Sequence, residues 1–250
     1  MRTLLQELHF AVRVLRKRPA LTLVAALTLG LGIGLAATMF SVVNGSIWRG
    51  LPAPRPDRVV HLERTFTGQA ADPAVPPRDF LDWRAQQTSF TDLAAFHTTP
   101  VNAGGTSGRP KRYSAAYITA NAFDVLGVRP VLGRTFVATD DQSGAGLVAI
   151  VSYAVWRDHF DRASNLNGLT MRLDGESVSV VGVMPEGFRF PLNEDIWLLL
   201  RPNPTAARDQ GPALQVLGRL RDGASLADAQ AEMSAIAERL ARTYPVLNEG

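Results

Sequence analysis

The sequence contains no cysteine. A disulfide framework, a thiolate metal site and a cysteine nucleophile are therefore excluded. The compartment is not, because many extracytoplasmic domains also lack disulfides. Catalytic signatures are missing too. No G-x-x-x-x-G-K-[ST] phosphate loop is present, so this chain does not bind ATP in that way. Ser114 and Ser152 lack the G-x-S-x-G elbow. The four histidines, His9, His61, His97 and His159, lie far apart without an H-E-x-x-H or H-x-H partner. Glu186 and Glu194 flank "GFRFP" with no second carboxylate for acid–base work. Asp140-Asp141 in "ATDDQSG" reads as a solvated loop. The expectation is a protein that is not an enzyme, with no catalytic, cofactor-binding or metal residues of its own.

A basic patch is also lacking. The net charge is +3. The excess is confined to residues 1–18, with Arg2, Arg13, Arg16, Lys17 and Arg18 against Glu7, and acids and bases nearly cancel elsewhere. That is one short basic segment and not a folded nucleic-acid surface, so no nucleic-acid partner is expected.

The longest absence is of charge itself, from Pro19 to Trp48. Within this run, "GLGIGLAA" fits both a dinucleotide-binding loop and a small-residue membrane-helix motif. A dinucleotide loop needs a short strand before it and an acid beyond it. Here the acid would be Asp57, inside the proline-rich "GLPAPRPDR", and the run is apolar all round. About 20 residues cross a hydrocarbon core, so residues 19–48 are expected to form one transmembrane helix. Gly30, Gly34 and Ala37 would fall near one face for helix–helix packing. Arg16, Lys17 and Arg18 would mark the cytoplasmic boundary, and Trp48 and Arg49 the outer one. The run is longer than a signal-peptide core. Leu4, Leu8, Val12 and Leu15 recur at helical spacing, so residues 1–18 read as an amphipathic basic helix on the membrane lipid surface.

Residues 49–250 then form the outer domain, an α+β fold. Strands are expected at "RVVHLER", "RYSAAYI", "GLVAIVSY", "DIWLLL" and "ALQVLGRLR". Two more are joined at Asp174-Gly175 in "GLTMRLDGESVSVVGVM". Helices are expected at "RDFLDWRAQQ", "NAFDVLG" and "YAVWRDHF", with "SFTDLAAF" as a second short helix or turn and "VNAGGTSGRPK" as a loop. Ser225-x-x-Asp228 resembles a capping box. Leu226, Ala229, Met233, Ile236 and Leu240 follow as one apolar stripe on a helix ending near Tyr244-Pro245. Trp83, Phe123, Trp156, Phe188 and Trp197 read as core.

Several segments together resemble the MacB/FtsX-type ABC transporter permeases, especially orphan permeases without a fused ATPase. They are "LLQELHFAVRVLRKRPALTLVAALTLGLGIGLAATMFSVVNG", "LPAPRPDRVVHL", "ITANAFDVLGVRPVLGRTFVATDD", "VSYAVWRDHF", "LTMRLDGESVSVVGVMPEGFRFP", "DIWLLL" and "LGRLRDGASLADAQAEMSAIAERLARTYP". The resemblance implies a bacterial inner-membrane protein with a cytoplasmic N-terminus and a periplasmic core domain of two lobes. The base lobe would take about 57–117 and 212–247, and the inserted lobe about 118–211. It implies a separate cytoplasmic ABC ATPase that binds the ATP, and a second permease copy or a C-terminal membrane half as partner. Family members carry three more spans after this domain, whereas this chain stops at Gly250. It is therefore expected to be a truncated permease subunit that works by binding and conformational coupling. The alternative is a single-pass, membrane-anchored binding or sensor module. "RDHFDRASNLNG" departs from the family's more usual glycine-containing stretch.

Overall fold

The structure, a computed structural model, describes residues 54–64, 72–104, 110–142, 144–208 and 210–244. The expected basic helix at 1–18 and span at 19–48 lie outside these residues. Among the described residues no helix is long and apolar enough to cross a membrane.

The strands are β1 (Val59–Leu62), β2 (Phe90–Thr98), β3 (Val101–Gly104), β4 (Lys111–Tyr113), β5 (Ala115–Ile118), β6 (Leu132–Gly133), β7 (Val148–Val151), β8 (Thr170–Leu173), β9 (Glu176–Val183), β10 (Ile196–Leu199) and β11 (Gln215–Leu220). The helices are α1 (Pro77–Gln86), α2 (Ala122–Leu126), α3 (Tyr153–His159) and α4 (Leu226–Thr243). The strands form a single mixed sheet in the order β1-β11-β2-β5-β10-β7-β9-β8-β3-β4, with β6 beside β9. Only β5–β10 and β7–β9 are parallel. The segments expected as two lobes share this sheet, because β5 pairs with β10. The hairpin of β3 and β4 sits at the far edge, next to β8.

Alternate residues serve opposite faces of the sheet, as the two-residue period of a strand requires. Ala94, Phe96, Ile150 and Trp197 pack on one face with Phe123 and Leu126 of α2 and with Phe136, Phe188 and Phe190. On the other face, Leu93, Ala95 and Val216 meet Phe80 and Trp83 of α1 and Ile236 and Leu240 of α4. Further along that face, Ala149, Val151, Ile196 and Val180 meet Val155 of α3. Trp156 and Phe160 are only half-buried against this last cluster.

Two expectations are corrected. "SFTDLAAF" is not a helix or turn: it is β2, third in the sheet. Both of its faces are covered, so Leu93, Ala94, Ala95 and Phe96 are all buried and the polar–apolar alternation that marks a half-exposed strand is absent. "VNAGGTSGRPK" is not wholly a loop, since its ends form β3 and the start of β4. The turn at Asp174-Gly175 is as expected, with φ of 48° and 92° at the two residues. Gly133 is fixed by space as well as by its φ of 78°, because a Cβ there would stand 2.2 Å from the Val181 carbonyl oxygen.

α4 also begins as expected. Ser225 Oγ accepts the Asp228 N–H at 3.1 Å, and the Asp228 carboxylate accepts the Ser225 N–H at 3.2 Å. Ala229, Ile236 and Leu240 are buried, but Leu226 does not join them and stays 60% exposed.

Candidate functional site

None of the sequence-predicted site residues can be placed here. Gly30, Gly34, Ala37, Arg16, Lys17, Arg18, Trp48 and Arg49 lie outside the described residues. What the structure does assemble is a groove of about 580 Å³ between β1 and α4.

The β1 wall is a sheet edge. Among the described residues β1 pairs only with β11. Leu214 and Val75 exchange both backbone hydrogen bonds, at 2.7 and 2.9 Å. Main-chain groups alternate along a strand, so Val216 and Gly218 of β11 also point toward β1, where they meet Leu62 and Val60. Val59, His61 and Glu63 consequently direct their main-chain groups outward. The Val59 N–H is taken by the Pro56 carbonyl.

The α4 wall combines small and apolar residues, Leu226, Met233, Ala237 and Ala241, with the polar Gln230, Ser234 and Glu238. The opposite flank is fastened down. Glu232 accepts the Thr88 and Ser89 N–H groups at 2.7 and 2.9 Å, and Arg239 donates to Gln86 at 3.0 Å. Burial alone would raise the Glu232 carboxyl, but these donors and the Thr88 hydroxyl outweigh it and hold it below its ordinary range. Position and orientation of α4 over the start of β2 are thereby fixed.

Asp79, at the base of the groove, belongs to a buried clamp. Arg208 donates to it at 2.7 Å and also to Asp82, and the Arg208 and Asp79 side chains are only 9% and 10% exposed. The guanidinium lies 3.6 Å from the Tyr244 ring centre. One arginine thus joins α1, the segment before β11 and the end of α4. Burial pushes the Asp79 carboxyl up, with Arg208 pulling the other way. Nothing in the sequence signalled this clamp, because Arg208 is 129 residues from Asp79 and the pair follows no local period.

Other candidates take structural places. Asp140 is corrected from a solvated loop residue: it is 7% exposed, accepts both Arg134 nitrogens at 2.6 and 2.9 Å and also accepts the Val137 N–H. Burial would raise its carboxyl, and these donors outweigh burial and hold it low. Ser152 caps α3 by accepting the Val155 N–H at 3.2 Å. Glu194 is buried and accepts the Leu192 N–H at 2.8 Å. His61 lies 3.1 Å from Glu63, His97 stacks on Tyr117 and His159 meets Phe160 edge-on. Among the described residues no group of three or more His, Asp or Glu could hold a metal ion. The groove offers apolar surface beside main-chain donors and acceptors, which is the chemistry of binding.

A mixed sheet flanked by helices in this arrangement is also found in extracytoplasmic regions of ABC-type transporters. The extracellular domain of the ABC-type transporter YknZ from Gram-positive bacteria matches with a TM-score of 0.52 at 17% identity, over 75% of this chain and 93% of that one. The periplasmic region of MacB from Actinobacillus actinomycetemcomitans matches with a TM-score of 0.52 at 13% identity, over 74% of this chain and 82% of that one. At such identities the likeness is one of fold. The MacB-like periplasmic core domain model matches residues 22–236. The chain belongs to that family. No curated protein matches the sequence.

Proposed function

We propose that the chain is the membrane subunit of a MacB/FtsX-type ABC transporter permease. In this reading a separate cytoplasmic ATPase binds ATP, and its motion passes through the span at 19–48 to the outer domain, for export or extraction of a substrate. The observation that carries the reading is the extent of the family match. It begins at residue 22, inside the uncharged run, and continues to residue 236 in α4. Apolar run and outer domain therefore belong to one family unit.

A single span cannot enclose a polar path through lipid. The permease role thus requires further helices, from a second copy or another membrane segment, and Gly30, Gly34 and Ala37 supply the surface for close packing. The continuous sheet suits mechanical coupling, because hydrogen-bonded strands run from β1 to β4 without a break. The groove favours a second reading, a membrane-anchored binding module without transport.

Affinity purification from membranes, with quantitative mass spectrometry of the copurifying proteins, separates the two. The permease reading expects a nucleotide-binding ABC subunit among the enriched partners. Enrichment of other proteins without any such subunit would overturn it in favour of the binding module.

A further inference from the structure

We propose that the groove between β1 and α4 binds an extended peptide segment of a partner protein, which adds to the sheet as a strand beside β1. The proposal does not depend on the transport reading. It rests on the chemistry of the edge and on the shape beside it.

The ladder leaves five main-chain groups of β1 and the residue after it facing outward: the C=O of Val59 and the N–H and C=O of both His61 and Glu63. No bond to any of them exists among the described residues. An exposed row of this kind is a template for another strand. The opposite edge, β4, is protected. It has three residues, of which Lys111 and Arg112 are exposed, and the Lys111 ammonium sits 4.7 Å from the Tyr113 ring centre. Charged side chains on a short edge are a usual defence against strand addition. β1 reads Val-Val-His-Leu and contains no lysine, arginine, aspartate or glutamate.

The groove supplies what a bare edge lacks, which is side-chain specificity. Alternate residues of an added strand would point toward α4 and meet Val60, Leu62, Met233 and Ala237. These positions therefore take apolar side chains. Leu226, 60% exposed in a helix whose other stripe residues are covered or half-covered, is the apolar surface such a segment would bury. A volume of about 580 Å³ accommodates a few residues, not a folded domain. The Glu63 and Glu238 carboxylates, 42% and 74% exposed, line the groove, and the arginine of the lining, Arg64, is bridged to Asp72 at 2.9 Å, so the segment carries a basic residue next to its apolar ones.

The test uses the full chain in detergent, labelled with 15N-histidine, which gives four amide signals to assign, with His61 identified by His61→Gln. The probe is a synthetic peptide of alternating valine and threonine with one lysine at its start. The expected result is that the free His61 amide exchanges fast and slows by about tenfold or more when the probe is added. The same peptide N-methylated at alternate amides should bind about tenfold more weakly. Ala237→Trp, which fills the groove, should abolish the effect while leaving the other histidine amides in place. Three outcomes overturn the proposal. The His61 amide is already protected without peptide, which means that the chain itself or a second copy covers the edge. The N-methylated peptide protects as well as its parent, which means simple apolar adsorption. Saturating peptide leaves His61 exchange unchanged.

Discussion

On one face of the sheet, Phe123 meets Trp197 edge-on with ring centres 6.0 Å apart, Phe188 lies 5.3 Å from Trp197, and Phe96 stands 4.9 Å from Phe190. The one indole N–H buried there donates to the Phe190 carbonyl at 2.8 Å. On the other face, α1 and α4 are held by carboxylates: Asp79 and Asp82 on Arg208, and Glu232 on the start of β2. The first face is closed by apolar burial, which is insensitive to pH and costly to interrupt. The second also buries Phe80, Trp83, Ile236 and Leu240, and adds directional polar contacts whose net worth is smaller, with room left between α4 and β1. A face closed by aromatic rings and a face whose apolar core is further fastened by ion pairs and flanked by a groove differ on one sheet. The difference places the adaptable surface on the side of α4.

Six substitutions can break or sharpen this contrast. Phe123→Ala should cost the most, about 3–5 kcal/mol in urea unfolding, because Phe123 is fully buried and touches three other aromatic rings. A loss below that of the ionic variants would dissolve the contrast. Arg208→Met should cost about 2–4 kcal/mol, since it strands Asp79 in a buried site. Adding Asp79→Leu and Asp82→Asn should return much of that loss, whereas a fully additive loss would show that the clamp is not a unit.

Asp140→Asn should cost about 1–2 kcal/mol at neutral pH, from its charged hydrogen bonds to Arg134 and Val137. Asp140, Asp92 and Glu232 are all held below their ordinary values: burial would raise each one, and the hydrogen-bond donors around it outweigh burial. An acid whose folded pKa is lowered contributes fully above its unfolded pKa and loses that contribution as pH falls through the folded one. The contribution of these three carboxylates should therefore be flat from neutral pH down to about 5 and then decline below about 4, and Asp140→Asn should flatten that acid limb. Ser225→Ala, which removes the α4 cap, should have the smallest effect, about 1 kcal/mol by thermal unfolding.

The elements that could be read from sequence are those whose signals are local. The α4 cap at Ser225 and Asp228, the Asp174-Gly175 turn and the short helix ended by Gly127 each depend on residues within a few positions. β2 is not legible as a strand because one covered on both faces loses its alternation, and "DLAA" has the composition of a helix. The exposure of Leu226 is not legible because the helical period places it on the stripe, while it stays 60% exposed. The groove and the Arg208 clamp could not be read at all, since they come from sheet order: β11 lies between β1 and β2 although more than a hundred residues separate it from either. Family membership was legible because many weak segments occur in one order, and the match over residues 22–236 rests on the same stretch. The substrate is written in no motif.

The central claim is that the domain carrying β1 to β11 is held outside the membrane by the uncharged run before it. A chain without cysteine allows this to be measured with single thiols. Ser177→Cys, exposed at the start of β9, and Thr3→Cys, in the basic leader, are treated with a membrane-impermeant maleimide in intact spheroplasts and again after lysis. The account predicts that the thiol at 177 is labelled in intact cells and the thiol at 3 only after lysis. Labelling at 177 that requires lysis would contradict it.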